Sequence, residues 1–540
     1  MLTRLGRLLA QGPVVAHGTT AAYAAWLVAQ LGQRAPGQLW VVTADDDALR
    51  AFAEDLRFFA PELALAELPG IEVSPYTDVF PDQSEVVARV GTLWRVAAAD
   101  RPISVIVTSA GALSRRTIAP AELLPRGQVV RRGQHLDRDA LVAGLVEAGW
   151  QRAPVVDEPG TFAVRGGVLD VFSPVLSHPV RLELFGDEVE TLRTFDVESQ
   201  RTLREIQEIA LTPVREVIAT GTQTPRLRLR EHAEVLIHPS KATRRLIEQL
   251  EANPHFVGVH GLTPAFHDHM CSPLDYAPAT ATVVVIDPDA VQGAARQAWA
   301  DAEARHAARR EQGDFVYPPK DHFVPPQELA EKLRAYPRRL ELPRLELVRR
   351  PGDADDGSTS LRVTIDELTA LRGEMTRLRQ TRDHDEQQGR ALAQQLAAWR
   401  DDGLAVTIGC DTLARAERLQ AVLEGRGLPC AQSERWPEEP PEPAPEPRPG
   451  QAPPIQLVHG SPSGSFASAA DALVVLRASD VFGPPPREHR AAARRAKAAL
   501  LGNVADFGEL EVGDYLVPVS YTHLRAHETD SYLVCRLLLE

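Results

Sequence analysis

Three short runs, PVVA (13–16), LWVVT (39–43) and ISVIVT (103–108), are apolar on both faces. Runs of this kind form parallel strands covered by helices on either side, not half-solvated strands of an antiparallel sheet. Between them the apolar spacing turns helical. Asp45, Asp46 and Asp47 predict a capped helix running to Phe59. Capping is preferred over a metal site for this acidic triple, because carboxylates at a helix N-terminus are stabilised by the helix dipole. A second helix from about Ser84 places Val86, Val87, Val90, Leu93, Trp94 and Ala97 on one stripe. Strand, helix and strand in alternation predict an α/β fold.

The 540 residues suit three or four domains, each able to bury its own core. Residues 1–122 carry the first α/β pattern. Residues 123–214 are β-rich, with turn glycines Gly160, Gly166, Gly167 and Gly186, and predict a smaller inserted domain. Residues 215–348 return to mixed α/β, with TVVVID (282–287) followed by a long helix from about Asp289 to Glu311, and are expected to complete the first sheet. Residues 349–484 form a further small α/β domain: LAVTIG (404–409), a helix from Thr412 to Glu424, IQLVHG (455–460) and ALVVLRA (472–478). It is interrupted at 437–453 by a Pro/Glu-rich surface loop, whose prolines and like charges cannot bury a core. Polar helical stretches, at 363–400 and in a linker helix at 485–508, connect these units.

The chain contains only Lys241, Lys320, Lys332 and Lys497, and none follows a glycine. A phosphate-binding loop of the G-x-x-x-x-G-K-[ST] type needs its lysine to reach the β and γ phosphates, so that mode of ATP hydrolysis is excluded. Only Gly18, Thr19 and Thr20 stand where such a loop would follow the first strand, which favours a structural turn. No G-x-G-x-x-G loop supports a dinucleotide enzyme. A formal charge of −15 excludes a compact basic nucleic-acid module covering the whole protein. Cys271, Cys410, Cys430 and Cys535 form no C-x-x-C pair, which argues against a thiolate zinc site and fits a reducing cytoplasm. No apolar run approaches the roughly 18 residues of a membrane span, and the opening MLTRLGRLLAQGPVVAHG is no secretory core.

Other catalytic patterns fail individually. GSPSG (460–464) has Pro462 where a nucleophile elbow needs serine. His267, Asp268, His269 and Cys271, with His255 and His260 nearby, match no standard zinc spacing and are taken as a polar loop. Asp157 and Glu158 are adjacent, so on a strand they face opposite ways and cannot share a proton. No catalytic, cofactor-binding or metal-binding residue is assigned.

In VRLELF (180–185), strand parity places Val180, Leu182 and Leu184 on a core face and Arg181, Glu183 and Phe185 on the outer one. An exposed Phe beside Arg is typical of an interface anchor. Alternatively, Phe185 covers a neighbouring domain. AVRGGVLDVF (163–172) adds Arg165 just before a Gly-Gly bend, either as part of the same surface or paired to a local carboxylate. The basic stretch Arg487, Arg490, Arg494, Arg495 and Lys497 is a second candidate surface, suited to phosphates or to a solvated linker helix.

LPGIEVSPYTDVFPDQSEVVARVGTLWRV (68–96), VRGGVLDVFSP and PVRLELFGDEVETLRTFDVESQRT (179–202) resemble the N-terminal half of the bacterial transcription-repair coupling factor (Mfd) family, colinearly from about residue 1 to about 517. The resemblance implies a module similar to the excision-repair protein UvrB: a degenerate helicase-like parallel α/β domain without its ATP site, split by a β-rich α+β insert that binds UvrA. The family's contact residues fall on Arg165, Arg181 and Phe185. It also implies a small RNA-polymerase-binding barrel, beginning here at LEVGDYLVP (510–518), and then a DNA translocase using ATP and Mg. This sequence departs from the family there: VSYTHLRAHETDSYLVCRLLLE (519–540) does not resemble the continuation and is expected to be a foreign tail. The chain is therefore expected to be the non-catalytic recruitment half of a cytoplasmic repair factor, whose full-length relatives also engage RNA polymerase and double-stranded DNA. The alternative is a catalytically dead UvrB paralogue binding damaged DNA. That reading needs an aromatic wedge near the first sheet, where residues 70–85 offer only Tyr76 and Phe80.

Overall fold

A computed structural model describes residues 1–34, 37–98, 103–217, 223–252, 256–344, 357–379, 384–437, 453–483, 515–516 and 535–536. Met1–Val481 form one compact unit. In the second, Tyr515–Leu516 pairs antiparallel with Cys535–Arg536. The expected linker helix, most of the Pro/Glu-rich loop and the nucleic-acid candidates Arg490, Arg494, Arg495 and Lys497 lie outside the described residues.

The fold is mixed α/β. Seven parallel strands form the first sheet, in the order Thr359–Arg362, Val14–His17, Arg338–Leu342, Thr282–Ile286, Leu39–Thr43, Val105–Ser109 and Leu65–Leu68. Leu39–Thr43 and Val105–Ser109 are buried at every position, as continuous apolar strands must be between two helical layers. The TVVVID strand enters the middle of this sheet. Thr359–Arg362, beyond residue 348, closes its edge against Val14–His17.

The acidic triple starts the helix Asp46–Phe59. The Asp45 side chain accepts from Ala48 N, while Asp46 reaches across to accept from Gly70 N at 3.0 Å. The helix Gln83–Ala98 buries Val86, Val87, Val90, Leu93 and Trp94 of its expected stripe, leaves Ala97 half-buried, and also buries Arg89, which is fully enclosed. Arg89 donates to the carbonyls of Pro69, Ala112 and Arg115 and faces Glu216 at 3.5 Å, so each charge offsets the desolvation of the other.

The β-rich domain contains a six-stranded sheet in the order Thr202–Glu205, Glu188–Phe195, Val180–Phe185, Val168–Val171, Thr161–Arg165 and Gln151–Arg152. Beneath it pack the helix Arg138–Glu147, through Leu141 and Leu145, and the strand pair Gln128–Arg131 with Glu208–Leu211.

The last α/β domain has a five-stranded sheet in the order Cys430–Ser433, Ile455–His459, Ala405–Cys410, Leu473–Arg477 and Phe466–Ser468, parallel except for the final strand. It packs against the helices Ala21–Arg34 and Asp46–Phe59 of the first sheet. Trp436 lies edge-on to Phe58 and Phe59, and Phe466 edge-on to Tyr23. Ala22 to Leu31 are consequently all buried. Five enclosed aromatic rings give this contact several kcal/mol of apolar burial, at about 1.5–3 kcal/mol per large side chain.

Candidate protein-docking site on the β-rich domain

Two tight hairpins turn at the same end of the six-stranded sheet. Arg165 pairs with Val168 across Gly166 and Gly167, and Phe185 pairs with Glu188 across Gly186 and Asp187. Two-residue hairpin turns require positive φ, which Gly166 at 62° and Gly186 at 63° supply. The antiparallel pairing of Glu183 with Val168 brings the two turns side by side, and Leu184 N donates to Gly167 O at 2.9 Å. A Cβ on Gly167 would lie 3.0 Å from Leu184 O, so a larger residue would push the two turns apart by a few tenths of an ångström.

Val180 and Leu182 are fully buried, as parity predicts, and Phe185 is 80% exposed. Arg165 is exposed, its Nη2 donating to Pro154 O at 2.5 Å. Beneath the turns, Arg138 donates to Gly166 O at 2.8 Å and fixes the tip from the helix side. Arg165 and Phe185 thus crown adjacent, mutually hydrogen-bonded turns.

Arg181 is placed differently from the free outward guanidinium that parity suggested. In register with Asp170, it donates from Nε and Nη2 to the two carboxylate oxygens at 2.7 and 2.8 Å, and its guanidinium lies 4.8 Å from the Phe195 ring centroid. The Asp170 contact raises its pKa. Part of the face read as outer is in fact a second small core of Val156, Ala163, Phe172 and Phe195, which the Arg181–Asp170 pair adjoins. The neighbouring row is an ionic lattice: Glu183 accepts from Thr191 Oγ1 at 2.8 Å and faces Arg193, which also meets Glu205. Asp170, the carboxylate that holds Arg181, is not among the residues the sequence singled out. Its signal is present in VLDVF, an acid alternating with inward Leu169 and Val171, but its partner is fixed only by register.

Several of the remaining candidates have structural partners. Val363 N donates to His17 O at 2.9 Å, and a Cβ on Gly18 would lie 2.3 Å from Val363 O, so the chain's own backbone occupies the place of a phosphate loop. His267 is buried between Glu122 Oε2, 3.0 Å from Nδ1, and Glu216 O, 2.7 Å from Nε2, and the Cys271 thiol lies against Ile118 O. His255 lies outside the described residues. Ser463, in GSPSG, donates from N and Oγ to the buried Asp55 carboxylate. Asp157 and Glu158 are exposed. Tyr76 is buried with its hydroxyl on Tyr317 O, and Phe80 is half-exposed, which leaves no paired aromatic wedge. Among the described residues no group of three potential metal ligands converges, and no helix is long and apolar enough to cross a membrane.

Residues 129–216 match the family model of the UvrB interaction domain. The chain is 32% identical over 509 residues to the transcription-repair-coupling factor of Myxococcus xanthus, covering 90% of this chain and 40% of that protein. It is 28% identical over 323 residues to the factor of Escherichia coli K12, covering 59% and 27% respectively. It is 37% identical over 175 residues to the factor of Mycobacterium tuberculosis, covering 32% and 14%. The chain therefore spans well under half the length of these relatives.

Proposed function

We propose that this chain, homologous to the N-terminal region of the transcription-repair-coupling factors and carrying a UvrB interaction domain, docks the excision-repair protein UvrA through the hairpin tips bearing Arg165 and Phe185. One observation carries the reading: a phenyl ring, 80% exposed, stands on a turn hydrogen-bonded to its neighbour, inside the matched domain. Exposed aromatic and arginine side chains on rigid supports are the usual anchors of protein interfaces, because little side-chain freedom remains to be lost on binding. Arg181 serves as a positioning residue, holding the strand that ends in Phe185 through Asp170.

In this reading the chain supplies the repair-facing side of a factor that couples transcription to repair. No nucleotide chemistry is assigned to the turn after the first strand, where Val363 stands. Engagement of RNA polymerase and duplex DNA, and the use of ATP and Mg, are assigned to other parts of such a factor.

The test is titration calorimetry of purified UvrA into the full chain. Phe185→Ala is expected to weaken binding by about 2 kcal/mol, roughly thirtyfold, and to shift folding stability by no more than about 0.5 kcal/mol, as an exposed side chain should. Parent-like affinity in both Phe185→Ala and an Arg165→Ala/Phe185→Ala double variant refutes the proposal.

A further inference from the structure

Two local preferences are broken together at the loop joining the helices Gln223–Leu236 and Ser240–Ala252. The first helix ends in the paired bonds of a left-handed terminus: His238 N donates to Ala233 O at 2.9 Å and Ile237 N to Glu234 O at 3.1 Å. The residue at the turn of this motif has positive φ and is ordinarily glycine. Here it is Ile237, at φ 53°, a conformation that β-branched side chains rarely adopt. Its side chain is 91% exposed and that of Val235 78%, so among the described residues no packing offsets the strain. Strain kept without internal compensation points to a function at that place.

The second helix opens with Lys241, Arg244 and Arg245, cations at the end of a helix whose dipole favours anions. All three are exposed and, among the described residues, have no ion-pair partner. The loop is nevertheless held in place. His238 Nδ1 lies 2.9 Å from Thr243 Oγ1, and its ring packs edge-on to Phe315 at 5.5 Å. An apolar side chain and three unpaired cations are therefore displayed on a fixed support.

We infer that this loop is a docking surface for a segment of a partner protein in which a bulky apolar side chain is flanked by carboxylates. The apolar group covers Ile237 and Val235, and the carboxylates meet Lys241, Arg244 and Arg245. Nucleic acid fits less well. Exposed Glu231, Glu234 and Glu248 interrupt the cations, and the described residues of these two helices and their loop expose no aromatic ring for stacking. A second copy across a two-fold axis would set the same cations against each other. The surface belongs to elements outside the β-rich domain and stands whether or not UvrA docks there.

The test uses the full chain and fluorescence anisotropy of a labelled helical peptide of about 18 residues, with leucine along one face and glutamate on the others. Binding is expected to be saturable and weakened by salt. Ile237→Gly installs the residue the turn prefers, so its melting temperature should rise while affinity falls about tenfold or more. The Lys241→Glu/Arg244→Glu/Arg245→Glu variant should lose peptide binding. The inference is overturned if the parent shows no saturable binding, if both variants bind like the parent, if labelled duplex DNA is preferred and lost on charge reversal, or if sedimentation shows the surface consumed by self-association.

Discussion

Arg181 grips Asp170 through two parallel hydrogen bonds of 2.7 and 2.8 Å, on the face of the sheet opposite its main core. Asp170 is only 3% exposed, so its carboxylate depends on that guanidinium. Arg181→Ala should therefore destabilise the β-rich domain by about 3 kcal/mol, because it leaves a buried charge without a partner. Chemical denaturation of the parent and the variant checks this. An unchanged midpoint would mean that water already solvates Asp170. The comparison also separates positioning from contact, since Arg181→Ala lowers both stability and docking whereas Phe185→Ala lowers docking alone.

Gly167→Ala tests the coupling of the two hairpin tips. The added Cβ would stand 3.0 Å from Leu184 O, a backbone atom that cannot rotate away, so the turns must separate by a few tenths of an ångström. The variant should weaken UvrA binding by about 1 kcal/mol although neither Arg165 nor Phe185 is altered. Calorimetry returning parent-like affinity would show that the spacing of the tips is immaterial.

Asp55 predicts a pH dependence at the packing of the last α/β domain on the first sheet. Burial pushes its carboxyl up to about 6, although Ser463 N and Oγ donate to it. The folded value lies above the unfolded one, so its contribution to stability is complete below about pH 4 and is lost as pH rises through about 6. Thermal melts from pH 5 to 7.5 should show the parent losing stability relative to Asp55→Asn, which cannot ionise. Burial holds His232, His306 and His322 below the usual histidine value, and these groups act in the opposite sense, losing stability as pH falls. The difference between parent and variant isolates Asp55.

Gly18→Ala should cost at least about 2 kcal/mol, through both positive φ and collision with a backbone carbonyl. The relevant values are φ 84° and 2.3 Å to Val363 O. A melting temperature equal to the parent's would show that the strand Thr359–Arg362 is not seated against the first strand.

The chain's local periodicity made much of this protein legible. Continuous apolar runs specified buried parallel strands, Asp45 and Thr412 marked helix starts, and the parity of VRLELF pointed Val180 and Leu182 inward and left Phe185 outside. The strand Leu65–Leu68 has no local signature, because LAEL has no β-branched residue and is buried only at alternate positions. Long-range pairing was not legible. No local pattern states that Thr282–Ile286 lies beside Leu39–Thr43, that Val363 fills the turn at Gly18, or that Asp170 meets Arg181. Side-chain alternation follows from backbone geometry over a few residues. The choice of strand neighbour and of charge partner depends on which segments jointly exclude water, and the folded chain alone decides that.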